Sequence, residues 1–428
     1  MPNMPRSHPW RVLAVENQTI KSGFTMISIQ EALQILQDNL PEARIDTVDL
    51  SEAYGRYLAE SITAPEPSPR YTNSAMDGYA LRWSDVMDAS QENTVMLKIL
   101  GESQAGTPFD RKVNRNEAVR ISTGAMVPSG ADTVVRVEDT STFDSEKVEI
   151  LAVRCQGQDV RYEGEEFCYG DELLGAGTKL FARHLALLAT VGHHQVKVFS
   201  TPRVSILVTG SELASSADKE IKSYQIRDSN SIMLVSALQE AGASVHSCSN
   251  VEDELQATID AISNAASQAV DFILCSGGIS VGEHDHVKEA AETVGFKELF
   301  WRIRQKPGKP LFAAQKNGTF LFGLPGNPVS AYMCFRHYIR PLLFTGRGRD
   351  MTWKTITAMA GAEIINNGKT TNFIRVKLEQ KQGQLPQIID IKKQGSHMLS
   401  SIVNADGYVI LDPGTTVMPG ETVNVFLF

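Results

Sequence analysis

Paired cysteines are missing from this chain. Its 428 residues include only Cys155, Cys168, Cys248, Cys275 and Cys334, an odd number with no CxxC spacing. That argues against a disulfide framework or a structural zinc site, and a reducing, cytoplasmic compartment fits best. Long apolar runs are missing too: nowhere do about 18 apolar residues follow one another, the length a membrane-spanning helix needs. The N-terminus lacks the basic-then-apolar layout of a secretory leader. Basic residues are the minority, 41 against 50 acidic, for a net charge of −9. That balance argues against a general binder of nucleic acid or anionic membranes. It leaves room for a small anionic ligand if cations are gathered in one place, and Arg302, Arg304, Lys306 and Lys309 lie together with no acid among them. The 42% hydrophobic content is enough to bury several cores, and the length implies two to four domains.

The pattern along the chain divides it into four stretches. Residues 1–25 show no clean periodicity and are read as a flexible tail, or as an extension upstream of the natural start. From Met26 a helix is expected, with Ser28 as its N-cap and Ile29, Ala32, Leu33 and Leu36 on one face. Within a 26–200 region, residues 45–200 then mostly alternate in short strand-like runs, such as Val95–Leu100, Ala118–Ile121 and Thr133–Glu138, separated by turns such as Pro128-Ser129-Gly130. This predicts a β-rich region with a few short helices. Thr201-Pro202 reads as a linker, and residues 201–345 change to alternating strands and helices. Val204–Val208, Ser244–Cys248, Asp271–Cys275 and Thr319–Phe322 are the expected strands. The expected helices are one capped by Asp228-Ser229-Asn230 with Ile232, Val235 and Leu238 on one face, and one opened by Asp253. Another runs from about Asp285 to Thr293, and the last is stopped by Pro341. Such alternation implies an open, doubly wound parallel sheet, whose ligands bind beyond the carboxyl ends of the strands. Residues 350–428 return to strand patterning with turns at Asp412-Pro413-Gly414 and Met418-Pro419-Gly420, as in a small β-barrel or sandwich. The fold class is therefore multi-domain α/β plus β.

The residues that can carry chemistry cluster in loops. Ser276-Gly277-Gly278-Ile279-Ser280-Val281-Gly282 follows an apolar strand, and its glycines let backbone amides approach an oxyanion. Glu283 and Asp285 come next; a carboxylate beside a phosphate-type pocket calls for a divalent cation, and Mg²⁺ suits a site with few carboxylates. Asp285 is equally suited to capping its helix. His284 and His286 flank Asp285 two positions apart, a spacing that does not put both on one helix face. Lys306-Pro307-Gly308-Lys309-Pro310 sets two ammonium groups on a stiff turn, suited to phosphate or molybdate; a solvated basic turn is the plainer reading. Gly323-Leu324-Pro325-Gly326-Asn327-Pro328 presents a helix N-terminus. Asp77, in Asn73-Ser74-Ala75-Met76-Asp77-Gly78, is either a metal or acid/base carboxylate or a turn aspartate. Thr123-Gly124 offers a hydroxyl and an exposed amide. Glu163, Glu165 and Glu166 form an acidic cluster, Glu212 ends the first strand–helix loop, and Trp301 is read as packing.

At these residues the chain resembles the MoeA family, to which the gephyrin E domain is related. The motifs are NSAMDGYA at 73–80, RISTGAMVPSGAD at 120–132, RDSN at 227–230, SGGISVGEHD at 276–285, KPGKP at 306–310 and GLPGNPVSA at 323–331. The central part alone would fit MogA-type adenylyltransferases; NSAMDGYA and the C-terminal stretch favour MoeA. The resemblance implies an L-shaped homodimer of four-domain subunits whose active site joins the molybdopterin-binding domain of one subunit to the N-terminal part of the other. It implies a molybdopterin molybdenumtransferase that puts molybdate into adenylyl-molybdopterin and releases AMP, with a MogA-type adenylyltransferase as a partner. Matching functional positions are Asp77, Thr123, Glu166, Glu212, Asp253, Asp285, Lys306, Lys309, Pro325 and Pro328, with Asp77, Asp285 and Asp253 as the metal carboxylates and Ser276, Gly277, Gly278 and Ser280 on the pterin nucleotide. The chain departs from the family pattern at Thr72, where an acid is expected, at Ser211, and at Tyr162-Glu163, where basic residues are expected. An adenylyltransferase that uses ATP, or a non-catalytic pterin-binding scaffold, also fits these residues.

Overall fold

The computed structural model describes residues 26–142, 146–279, 285–390 and 394–428. The expectations for residues 1–25, for Ser280 and for His284 lie outside the described residues. Pro202–Leu343 and Thr352–Phe428 form one compact unit with the N-terminal segment up to Pro41; Glu42–Thr201 and Phe344–Met351 form the other.

Helix α1, Ile29–Asp38, starts as expected. Ser28 accepts the amide of Glu31 at 3.1 Å, and the Glu31 carboxylate accepts the amide of Ser28 at 2.6 Å, a reciprocal capping box. Ile29, Ala32 and Leu36 are buried, and Leu33 is half-buried. The helix belongs to the unit of the central sheet, joined to it by bridge pairing of Ile27 with Ile303.

In the smaller unit, β1 (Gly78–Leu81), β2 (Val95–Ser103), β3 (Glu117–Ile121), β4 (Thr133–Arg136) and β5 (Lys147–Ile150) lie in one mixed sheet in the order β4-β1-β3-β2-β5. Tyr79, Leu81, Leu97, Val135 and Val148 form its core on one side and Ala80, Ile121 and Val134 on the other, as alternation along strands requires. Gly78 is needed because β4 comes so close that a Cβ would sit 2.0 Å from the Val135 carbonyl oxygen. A second core in this unit joins Leu58, Ile62, Leu180, Leu188, Val196 and Val198.

The larger unit is built on β6 (Arg203–Thr209), α2 (Asn230–Ala241), β7 (Ser244–Val251), α3 (Leu255–Ser267), β8 (Phe272–Ser276), α4 (Val287–Val294), β9 (Lys297–Trp301), β10 (Gln305–Lys306), β11 (Phe312–Lys316), β12 (Thr319–Leu324) and α5 (Pro328–Cys334). The sheet order is β7-β6-β8-β12-β11-β9. β7, β6, β8 and β12 run parallel, and β11 is antiparallel to both of its neighbours. Both faces are covered. Leu207, Ile273, Cys275 and Leu321 pack against Ile262, Ala265, Ala290 and Ala291 of α3 and α4, while Ile206, Leu274 and Phe322 on the opposite face are fully buried. This explains why the strands read as continuous apolar runs.

Three details differ from the sequence expectations, while the cap of α2 agrees with them. Ile232 on α2 is 57% exposed; the buried face is Asn230, Leu234, Ala237 and Leu238. Asp228 supplies the cap, accepting the Ser231 amide at 3.0 Å. Helix α4 begins at Val287, with His286 rather than Asp285 as its N-cap residue. Pro341 does not end its helix: α5 continues through a π turn, Phe335–Ile339, into Arg340–Leu342. Pro341 has no N–H for the His337 carbonyl four residues back. Trp353 Nε1 donates to that carbonyl instead, at 3.0 Å.

The C-terminal strands β13 (Thr355–Ala360), β14 (Thr371–Glu379), β15 (Gln387–Asp390), β16 (Gly407–Leu411) and β17 (Thr422–Leu427) pair in the cycle β14-β15-β13-β17-β16-β14. A closed five-stranded barrel results, filled by Ala358, Ile374, Val376, Ile388, Val409 and Val425.

His337, in the π turn, is buried against the barrel, its Nδ1 at 2.9 Å from the Tyr408 hydroxyl. Burial pushes its pKa down from 6.5 to about 3. As pH falls, the unfolded chain therefore takes up this proton before the folded one. The His337 contribution is intact above about pH 6.5 and is lost at up to roughly 1.4 kcal/mol per pH unit below it. Chemical denaturation of His337→Phe between pH 7 and 4 is expected to show a shallower loss of stability than the unsubstituted protein; equal slopes would contradict this assignment.

Candidate functional site

Parallel pairing aligns the carboxyl ends of the central strands. Val208 of β6 is in register with Ser276 of β8, and Ser276 with Leu324 of β12. Sequential strands β6 and β7 lie to one side and β8 and β12 to the other, so the chain reverses direction across the sheet between β6 and β8, the switch point at which sheets of this kind bind their ligands. The loops there touch. Gly277, at φ +95, is so close to Thr209 that a Cβ would meet the Thr209 carbonyl oxygen at 2.7 Å and Oγ1 at 2.8 Å. The Gly277 amide donates to Leu324 at 3.0 Å. Asn230 Nδ2, at the start of α2, donates to Ser276 Oγ and to the Gly326 carbonyl, both at 2.8 Å. One side chain thus ties three loops together. Thr209 Oγ1 and Asn230 Oδ1 are deeply buried, and neither has a hydrogen-bond partner among the described residues. A buried polar atom without a partner costs about 1–3 kcal/mol, so this part of the rim carries an unmet hydrogen-bonding demand.

Asp253 does not cap α3, whose N-cap residue is Glu254. Its carboxylate accepts the Ser211 amide at 2.8 Å and so anchors the loop that carries Glu212, which is exposed. Asp285 is half-buried just before α4, whose Val287 amide donates to the Gly278 carbonyl at 3.1 Å. Pro325 is buried, and Pro328 takes the first position of α5, where its missing N–H has no cost. Among the described residues no three His, Cys, Asp or Glu side chains gather at a metal position.

The lysine turn leaves β9 at the same rim, since Trp301 pairs with Phe312 and Phe312 with Gly323. Lys306 and Lys309 are both exposed, and neither forms an ion pair among the described residues. The other cations of this stretch are occupied. Arg304 donates to the Met26 carbonyl at 2.9 Å, and Arg302 stacks 4.2 Å from the Trp301 ring centroid. Trp301 is packing, as expected, but it also does more: Nε1 donates to the Ile279 carbonyl at 3.3 Å and so steadies the glycine loop. β10 pairs in parallel with β14 of the barrel, Lys306 opposite Asn372.

The smaller unit brings a second set together. Asp77 Oδ1 accepts both the Thr123 amide at 2.6 Å and the Thr123 hydroxyl at 2.9 Å. Those two bonds, the amide's first, hold the Asp77 carboxyl below the usual range. The Thr123 hydroxyl is therefore not free, and the Gly124 amide is not exposed as expected: it donates to the Ser74 carbonyl at 2.8 Å. Arg161 pairs with Asn73, and Ser68 donates to Glu166 Oε2 at 2.7 Å. The segment 160–167 thus runs antiparallel beside 68–74, with Glu166 at the Ser68 end and Val160 at the Ser74 end that leads to Asp77. Glu165 is a turn acceptor for the Tyr162 amide at 2.8 Å.

One residue escaped the sequence reading. Arg375 of β14 is 2% exposed, no carboxylate pairs with it among the described residues, and its Nε has no partner. Among the described residues its guanidinium donates to the Phe373 and Gly395 carbonyls, and burial lowers its pKa to about 10. It lies three positions along β14 from Asn372, the partner of Lys306. A lone arginine inside an alternating strand carries no pattern that marks it.

Three family models match: a MoeA N-terminal region (domain I and II) over residues 27–192, a probable molybdopterin binding domain over 205–345, and a MoeA C-terminal region (domain IV) over 357–428. A molybdopterin molybdenumtransferase of Haemophilus influenzae is 32% identical over 94% of this chain and 98% of its own length. The one from Bacillus subtilis is 31% identical over 94% of each. Two solved structures of molybdopterin biosynthesis MoeA proteins from Pyrococcus horikoshii superpose with TM-scores of 0.82 and 0.76, at 30% and 26% identity, each covering 94% of this chain and 99% or more of the other.

The bond pair between Thr123 and Asp77 can be tested directly. Thr123→Val removes the hydroxyl donor, and the Asp77 carboxyl, followed by ¹³C NMR titration, is expected to titrate at higher pH than in the unsubstituted protein. An unmoved titration would mean that the hydroxyl does not contribute.

Proposed function

This chain belongs to the MoeA family, and we propose that as a molybdopterin molybdenumtransferase it takes adenylyl-molybdopterin and molybdate to molybdenum cofactor and AMP. The observation that carries the reading is the single sheet rim at which a glycine loop, two buried polar atoms without partners and an unpaired lysine turn converge. The pterin nucleotide lies against Ser276, Gly277 and Gly278, where the two glycines put no side chain between it and the backbone. Thr209 Oγ1 and Asn230 Oδ1 complete their hydrogen bonding with its polar edge. Lys306 and Lys309 hold the molybdate oxygens, and Arg375 adds a buried cation on the barrel side. Water cleaves the phosphoanhydride and AMP leaves; the two dithiolene sulfurs bond to molybdenum as one molybdate oxygen departs as water with their two protons, with no change of oxidation state. No protein nucleophile is needed; positioning and charge stabilisation suffice.

Carboxylates at this rim fit a divalent cation shared with substrate oxygens, since such sites use one or two protein carboxylates. Asp285 and Asp253 would hold Mg²⁺, which would neutralise charge on the phosphoanhydride. Asp77, Thr123, Glu166 and Glu212 are proposed as further functional residues. A homodimer, a MogA-type adenylyltransferase as supplier of the substrate, and a cytoplasmic location belong to the same proposal. Among the described residues no helix is long and apolar enough to cross a membrane.

Purified protein given adenylyl-molybdopterin, molybdate and Mg²⁺ is expected to release AMP and form cofactor, and to stop on chelation. Lys306→Ala and Lys309→Ala are expected to raise the KM for molybdate, and Asp285→Ala to lower kcat by about 100-fold or more. No product under conditions where a known MoeA works would sink the reading. AMP transfer from ATP to molybdopterin would identify an adenylyltransferase instead.

Arg375→Met gives a separate check. Replacing a buried cation that has no carboxylate partner strands no opposite charge, so thermal stability is expected to hold or rise. The upward shift in melting temperature that molybdate causes is expected to shrink; a full shift would remove Arg375 from the anion site.

A further inference from the structure

Beneath the lysine turn lies a polar cluster that none of the roles above uses. Gln305 is 1% exposed, although it stands in the most basic stretch of the chain. Its Nε2 donates to the carbonyls of Pro307 and Gly308, both at 3.2 Å. Its Oε1 accepts the hydroxyl of Tyr338. Cys334 Sγ lies 3.7 Å from the Gly308 carbonyl. Gly308, at φ +88, sits so close to the helix that a Cβ would meet Cys334 Sγ at 2.5 Å. The Lys309 carbonyl accepts the Ile303 amide at 2.9 Å and closes the turn.

Tyr338 reaches Gln305 from the π turn, Phe335–Ile339. The Pro341 N–H that would hold the His337 carbonyl is missing, and Trp353 takes its place. This segment of the helix is thus wider than an α-helix and is tied to the barrel side, a geometry common at functional sites.

We propose that Gln305 and Tyr338 are positioning residues for the oxyanion. Carbonyl oxygens repel an anion. By drawing the Pro307 and Gly308 carbonyls inward, the Gln305 amide keeps two negative dipole ends off the face on which Lys306 and Lys309 present their ammonium groups. Tyr338 donates to the Gln305 oxygen and thereby fixes which end of the amide faces the turn. Buried, hydrogen-bonded support of this kind locks a site more firmly than a loop can by itself. The proposal rests on the reading of the lysine turn as the molybdate holder given above.

Steady-state kinetics on the full chain test it, with molybdate and adenylyl-molybdopterin varied in turn. Tyr338→Phe keeps the ring and removes the donor; Gln305→Leu removes both donated bonds. Each is expected to raise the KM for molybdate by about three- to tenfold, the worth of one or two hydrogen bonds. The KM for adenylyl-molybdopterin and kcat are expected to stay within about twofold, a split that general loosening of the fold would not produce. The double variant Tyr338→Phe with Lys306→Ala is expected to be less impaired than the product of the two effects. If Lys306→Ala raises the KM for molybdate while Tyr338→Phe and Gln305→Leu do not, the positioning role is wrong and the lysine reading stands. If the lysine variants leave it unchanged, the lysine reading fails and this inference with it. Should Gln305→Leu not fold, Tyr338→Phe decides alone.

Discussion

The close passage of the Thr209 backbone by Gly277 is the contact on which the larger unit depends. Four parallel strands can end abreast only if the loops leaving them share a narrow space. At the β6–β8 boundary that space admits no Cβ. Glycine there is a consequence of packing before it is a feature of binding: the same lack of side chain that lets the two strands end together leaves the backbone of Gly277 uncovered by a side chain, while its amide is held by the Leu324 carbonyl. Asn230 reinforces the arrangement, since its amide nitrogen spends its donors on Ser276 and Gly326 and leaves its oxygen with no partner. The rim is held in shape on one side of Asn230 and left unsatisfied on the other, which is what a preformed ligand site requires.

Charge follows the same logic. The chain is acidic overall, yet its cations at this rim divide into two classes. Arg302 and Arg304 are consumed by Trp301 and by the Met26 carbonyl. Lys306 and Lys309 are left exposed on a turn whose carbonyls are withdrawn beneath it. In the smaller unit the carboxylate of Asp77 is likewise held still, by two donors from one threonine. Both units therefore present charged groups whose backbone is fixed by buried or paired neighbours, and fixed charge is what lowers a barrier without reorganisation at the moment of reaction.

Much of this was legible in the chain. The Ser28 N-cap and the apolar runs of β6, β8 and β12 are local patterns, and each appears where its pattern predicted. What misled were residues whose role is set by a partner far along the chain. Ile232 has the spacing of a buried helix face, but α2 rests on the sheet through Leu234, Ala237 and Leu238, so Ile232 points outward. Pro341 carries a stop signal, and Trp353 removes the penalty by donating to the carbonyl that Pro341 cannot serve. The Gly124 amide looked exposed because nothing near it in sequence accepts it; Ser74 does.

The sequence by itself determined the elements, the βα alternation that leads to a parallel sheet, and the loops able to face an anion, because these depend on side-chain period and on residues a few places apart. Only the tertiary structure decided the closure of the barrel, the pairing of Lys306 with Asn372, the burial of Arg375 and the clamp of Gln305 by Tyr338. Each of these is a meeting of residues brought together by strand register and helix packing. A buried glutamine or a lone arginine has no period of its own, so its meaning appears only with the neighbours that enclose it.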